Sequence, residues 1–291
     1  MLVTWRYRDR NSILQRFDPR ALLIFYACFI ASTLFFWDLR FLLFFLVVAV
    51  GAVIASRITW RESYRAWLFI GAFILFFSFL TFLTGRGGGV SLYAEEHSLA
   101  RWEAPFTLLG WRPTLDITLE RIFYSLSQLA RVFSLASMTI LIPYVLNPAH
   151  YGIAFRRLGL PDKFAYAMDL TMRFIPTFGR DFQLTLDAQR ARGYEIENLR
   201  GGLVQQVRKM APLIVPVTIH AIIGSEDIID AMDLRAFGAQ PRTWLQELHY
   251  RRRDRLLIAA GVAILLASII LATLGLGYFW VPQSLIEALG G

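Results

Sequence analysis

Three groups of side chains in this sequence have types and spacings that could do chemistry. Glu226, Asp227, Asp230 and Asp233 recur at three- and four-residue spacing. That lines carboxylates along one helical face, where hard oxygen ligands could hold Mg²⁺ for pyrophosphate transfer. The plainer reading is a solvated face whose acids pair with nearby arginines. A second group is a short internal similarity, in which Asp187-Ala188-Gln189-Arg190-Ala191-Arg192-Gly193-Tyr194 aligns with Asp230-Ala231-Met232-Asp233-Leu234-Arg235-Ala236-Phe237. Asp, Ala, Arg and an aromatic coincide. Each copy falls at the predicted C-terminal end of a long helix, where Gly193 suits a left-handed C′ residue and Gly238 is the candidate for the second. The helix dipole alone explains a cation in a last turn. Two copies on paired helices suggest docking onto two similar partner sites, because a guanidinium presents five donors in a rigid fork. The third is Arg131, inside an otherwise apolar run. A charge in mid-span costs a few kcal/mol, so it should face the protein interior or a neighbouring subunit, with Ser127, Gln128 and Ser134 within one turn.

Other chemistries are not written in the chain. It contains no G-x-x-x-x-G-K-[ST], no H-E-x-x-H and no G-x-S-x-G, so it does not hydrolyse ATP through a phosphate loop of its own. His97, His150, His220 and His249 are scattered, and His220, among apolar residues, reads as a structural histidine. The lone Cys28 excludes an intramolecular disulfide and a set of thiolate ligands.

The elements that must position these groups are membrane helices. Over 291 residues the chain is 56% hydrophobic and 15% aromatic with mean hydropathy +0.48, including 24 Phe and 8 Trp. That argues against a secreted enzyme, a coiled coil and a disordered regulator. A net charge of +8 could suggest nucleic acid, but the basic residues flank apolar runs, as the positive-inside rule requires. About five runs approach the roughly 20 residues that cross a bilayer. Ala21 to Ser56, broken at Trp37-Asp38-Leu39-Arg40, gives two, followed by Ala66 to Thr84, Ile122 to Ile142 and Leu256 to Trp280. The first run leads into Phe35-Phe36-Trp37 rather than a small-residue cleavage site, so it reads as a span and not a signal peptide.

The fold class is therefore all-α, an integral membrane protein with a helical coupling region in the cytoplasm. Residues 1–142 form a membrane region with four spans and an external loop at 85–114, residues 143–255 the cytoplasmic helices, and 256–291 the last span and an external tail. Arginines concentrated before the first span, at Arg57, Arg61 and Arg65, and at Arg251-Arg252-Arg253 place the N-terminus in the cytoplasm. The glycine-rich loop reads as a small hairpin built on Val90 to Tyr93 and Phe106 to Leu109. Between spans four and five the periodicity predicts helices over Phe164 to Ala191 and Leu203 to Arg235, the second bent at Pro212 and Pro216. The apolar stretch Ala211 to Gly224 is too short for a sixth span and reads as interfacial or buried.

These residues carry a resemblance. Phe17-Asp18-Pro19-Arg20, Asn147-Pro148, Leu158-Gly159-Leu160-Pro161, Arg173-Phe174-Ile175-Pro176, Ala188 to Gly193 and Ala231 to Gly238 with Arg242-Thr243 make the chain similar to the transmembrane T component of energy-coupling factor (ECF) transporters, the CbiQ-like family. The likeness covers most of the chain and is strongest over 147–243. It implies a scaffold with no catalytic residue and no cofactor of its own, ATP being bound by two ATP-binding cassette subunits, identical or not. It also implies a small membrane substrate-binding (S) component, uptake of a vitamin or transition-metal ion, and the cytoplasmic membrane of a prokaryote, with no nucleic acid partner. The resemblance assigns ATPase coupling to Ala191-Arg192-Gly193 and, less regularly, to Leu234-Arg235-Ala236, where Leu234 replaces a small residue and Ala236 a glycine. Two alternatives stand beside it: a Mg-dependent membrane prenyl or pyrophosphate transferase using Glu226 to Asp233, and a membrane anchor without a transport role.

Overall fold

A computed structural model describes residues 7–84, 98–103, 114–194, 203–239, 248–280 and 282. Its helices are α1 (Pro19–Phe35), α2 (Leu39–Ala55), α3 (Trp60–Thr84), α4 (Leu119–Val145), α5 (Tyr151–Arg157), α6 (Asp162–Ala191), α7 (Leu203–Asp233) and α8 (Arg252–Thr273). Strands β1 (Ser98–Glu103) and β2 (Thr114–Thr118) form one antiparallel ribbon with Arg101 opposite Asp116 and an irregularity between Ser98 and Ala100. An antiparallel ribbon therefore stands in the loop after α3, on residues other than those expected to pair. The segments expected to form its strands, 90–93 and 106–109, lie outside the described residues. The chain divides into two units: residues 8–146 with 250–291, and residues 1–7 with 147–249.

The first unit is a helix bundle. Asp18 caps α1 by accepting from the Arg20 N–H at 2.9 Å, with Pro19 at the first helical position. Asp38 caps α2 in the same way through Arg40 at 2.9 Å. Leu22, Phe29, Leu42, Met138 and Leu141 are buried, and Phe29 meets Phe45 edge to face at 5.2 Å. Gly261 of α8 lets α1 approach closely, because a Cβ there would lie 3.2 Å from the Phe25 ring and 3.3 Å from its Cα. The outer surface is apolar. Phe69 is 74% exposed, and Phe73, Phe76 and Phe79 of α3 are also exposed, as expected where the solvent is lipid.

Among the described residues, four helical stretches are long and apolar enough to cross a membrane: Trp60–Phe82, Leu119–Val145, Met210–Asp233 and Arg252–Thr273. α1 and α2, at 17 residues, are shorter apolar helices at the low end of spanning length. Two expectations change. α4 continues through Pro143 to Val145. α7 is continuous through Pro212 and Pro216, so the 14-residue limit read from the apolar run alone does not hold for the helix that contains it.

In the second unit α6 and α7 pack together in antiparallel fashion. The Gln189 amide near the end of α6 donates to the Pro212 carbonyl at 3.2 Å. At the other end, the Tyr166 ring lies 4.8 Å from Phe237 and its hydroxyl reaches the Met232 sulfur at 3.4 Å.

Candidate functional site

Both arginine copies sit on the same backbone device. At the end of α6 the Gly193 N–H donates to the Arg190 carbonyl at 2.9 Å and the Tyr194 N–H to Gln189 at 3.0 Å, with Gly193 at φ +81°. This is a Schellman turn with Arg192 at the C-cap. At the end of α7 the Ala236 N–H donates to Asp233 at 2.9 Å and the Phe237 N–H to Met232 at 3.0 Å, with Ala236 at φ +52°. That is the same turn, register for register, with Arg235 at the C-cap. Gly238 also has positive φ, at +95°, but the C′ position expected for it belongs to Ala236. Alanine in place of glycine leaves the turn intact, at the roughly 1 kcal/mol that a left-handed L-residue costs.

Ala191, Arg192, Gly193, Leu234, Arg235 and Ala236 are all exposed, and Leu234 is 89% so. The Arg192 and Arg235 side chains have no hydrogen-bond or ion-pair partner among the described residues, whereas neighbouring Arg190 lies 3.6 Å from Asp187. The two C-caps stand at opposite ends of the helix pair. The stretch of α6 from Tyr166 to Gln189 rises about 35 Å along the helix axis, which sets the scale of their separation.

Arg131 is placed differently. Its side chain is buried, donates to the Phe36 carbonyl and stacks on Trp37 at 4.1 Å. Tyr124 lies parallel to Trp37 at 6.1 Å and receives the Gln128 amide at 3.3 Å, while the Trp37 N–H donates to Gly277 at 2.9 Å. The arginine thus ties α4 to the turn between α1 and α2 and to the chain after α8. It lies level with Trp37, Asp38 and Arg40, a polar and aromatic belt rather than bare hydrocarbon. Ser127 and Ser134 bond back to the Phe123 and Ala130 carbonyls of their own helix at 2.8 and 2.6 Å.

The acidic row offers less than its spacing suggests. Glu226, Asp227, Asp230 and Asp233 are exposed and make no ion pair among the described residues. Among the described residues no three His, Cys, Asp or Glu side chains come together as metal ligands. His220 is exposed on α7 and makes no hydrogen bond among those residues, which corrects its reading as a satisfied structural histidine.

Sequence reasoning missed a pair of clamps on α8. Arg20 pairs with Asp18 at 2.8 Å and stacks on Tyr250, which precedes α8, at 3.8 Å. Arg40 pairs with Asp38 at 2.6 Å and stacks on Trp280, which follows α8, at 3.9 Å. Asp254 completes the first clamp by accepting the Asp18 and Arg251 N–H groups at 3.0 and 2.8 Å. The readable signal was the repeat of Asp-x-Arg immediately before two consecutive apolar runs.

An apolar bundle with helices long enough to cross a bilayer, together with a helix pair whose two ends carry arginines without a partner among the described residues, defines a multi-pass membrane protein. The CbiQ family model, described as cobalt transport protein, matches residues 10–244, and the chain belongs to that family. It is similar to the energy-coupling factor transporter transmembrane proteins of Thermosediminibacter oceani, at 27% identity over 89% of this chain and 92% of the relative, and of Thermotoga maritima, at 28% over 89% and 91%. The corresponding protein of Staphylococcus aureus is 25% identical over 90% and 94%. The chain is thus a transmembrane component of an ECF-class transporter, a transport subunit rather than an enzyme, and a part of a complex with other subunits.

Proposed function

We propose that this chain couples two ATP-binding cassette subunits to a small membrane S component, so that ATP binding and hydrolysis in the partners move α6 and α7 and reorient the S component. The observation that carries the reading is the pair of arginines, Arg192 and Arg235, without a partner among the described residues, on equivalent turns at opposite ends of one antiparallel helix pair. Two such anchors suit two related grooves. The exposed Leu234 beside Arg235 favours grooves that differ, hence non-identical ATPases. The chain would carry no cofactor, with ATP held by its partners. The cargo would be a transition-metal ion, as the family description says of its members, or a vitamin. The same arginine distribution puts the N-terminus, the segment 143–255 and both anchors on the cytoplasmic side of a prokaryotic cell membrane, with residues 85–114 and the tail after α8 outside.

A mild-detergent pull-down of tagged wild type beside Arg192→Glu/Arg235→Glu tests this. The wild type should bring down P-loop ATPases and a small apolar membrane protein, and the double variant should lose the ATPases. Equal recovery of ATPases with both proteins would overturn the coupling role.

A further inference from the structure

A groove of about 640 Å³ runs between α2, α3 and α4, lined by Val53, Ile54, Trp67, Gly71, Leu75 and Phe133. Trp60 and Ile58 close it at the end where α2 turns into α3. That end carries Arg57, Arg61 and Arg65, all exposed. No carboxylate pairs with any of them among the described residues; the nearby Glu62 is taken by Arg8 and Arg10 at 2.8 and 2.6 Å. Seven residues bring a helix back to within about 20°, so Arg61 lies on the face of Leu68, and Arg65 on that of Ala72, both groove residues. Arg57 is held at φ +54° at the C′ position of α2, where a glycine would be unstrained.

We propose that this groove is a binding site for one anionic phospholipid, its acyl chain lying along Gly71 and Leu75 and its phosphate held by Arg57, Arg61 and Arg65. Charge selects the occupant. A purely apolar groove would accept any lipid tail, whereas three guanidinium groups at its mouth with no carboxylate partner among the described residues, Arg65 reaching only the Tyr64 hydroxyl at 3.1 Å, favour a negative headgroup beside an interfacial tryptophan. The site needs only the membrane location of the chain and does not depend on ATPase coupling.

The full-length protein, purified in non-ionic detergent, is mixed with phosphatidylglycerol or phosphatidylcholine of identical chains, and retained lipid is read by native mass spectrometry. Phosphatidylglycerol should be retained at least tenfold better. The variant Arg57→Gly/Arg61→Gln/Arg65→Gln should lose that preference and keep its phosphatidylcholine level; since Arg57→Gly relieves a left-handed residue, its thermal stability should not fall. Gly71→Leu, whose side chain enters open space, should reduce retention of both lipids. Equal retention of the two lipids by the wild type, or an unchanged preference in the triple variant, would overturn the site. A photo-crosslinker at Leu68, in the complex taken from native membranes, should label lipid. Labelling of a partner's membrane helix instead would also overturn it.

Discussion

The arginines of the bundle and those of the α6/α7 pair belong to the same residue type and are deployed in opposite ways. In the bundle, Arg20 is buried against Asp18 and Tyr250, Arg40 holds Asp38 and Trp280, and Arg131 joins α4 to Phe36 and Trp37. Each lies close to a helix end or turn, and each closes a junction between helices. Arg192 and Arg235 also sit at helix ends, yet their side chains reach nothing among the described residues. What separates structural from partner-facing cations here is therefore whether a local oxygen acceptor, a carboxylate or a free carbonyl, and an aromatic ring accompany them, and not burial propensity or position in the helix.

That contrast can be broken by exchanging readouts. Arg192→Glu and Arg235→Glu should each weaken ATPase association by about 2 to 5 kcal/mol, the cost of removing one member of a desolvated charge pair at an interface. Stability of the isolated chain should move by no more than about 0.5 kcal/mol, since exposed sites without contacts are nearly neutral. A large loss of melting temperature in these variants would erase the distinction. Asp18→Ala should do the reverse. It removes an N-cap and strands the buried Arg20, which predicts a loss of about 3 kcal/mol or more in detergent unfolding, with ATPase binding by the folded fraction unchanged. Asp38→Ala sharpens the comparison within the bundle. The Arg40 side chain is 56% exposed, so water can replace its partner, and the expected loss falls to about 1 kcal/mol, near the value of the cap alone.

Much of this arrangement was legible in the sequence because it rests on local rules. The helices over 162–191 and 203–233 follow from apolar spacing, and the turn at Gly193 follows from a glycine just past an amphipathic run. A break between two helices was expected at 37–40 and falls at 36–38, with Leu39 and Arg40 already in the first turn of α2. What was not legible depends on contacts between distant segments. Asp-Pro-Arg before α1 carried the family resemblance without revealing that Tyr250 and Asp254 are its partners. Arg131 read as a mid-span charge because sequence gives the register along one helix only. The turn it touches, Phe36 and Trp37, reaches the middle of α4 through the shortness of α1 and α2. The acids of α7 read as paired since arginines are numerous nearby in sequence, but they are exposed and pair with no described cation. The groove between α2, α3 and α4 has no sequence signature, as its lining is indistinguishable from lipid-facing surface.

The two C-cap turns allow a last and smaller test of their equivalence. They have the same hydrogen bonds and the same arginine position, and differ at C′ in one methyl group, Gly193 against Ala236. Gly193 has nothing within 4 Å of where a Cβ would stand, so Gly193→Ala meets no steric obstacle and its cost is conformational alone, about 1 kcal/mol. Ala236→Gly should recover a similar or smaller amount, because the added freedom of the unfolded chain offsets part of the relieved strain. Hydrogen exchange of the Tyr194 and Phe237 amides, each bonded across its turn, reads the two effects separately. Faster exchange at Tyr194 in the first variant and slower exchange at Phe237 in the second are expected. If the turns are used alike, the two substitutions should leave the anchoring arginines equally able to dock. Unequal loss of ATPase binding would instead locate the difference between the two anchors in the turn itself rather than in Leu234.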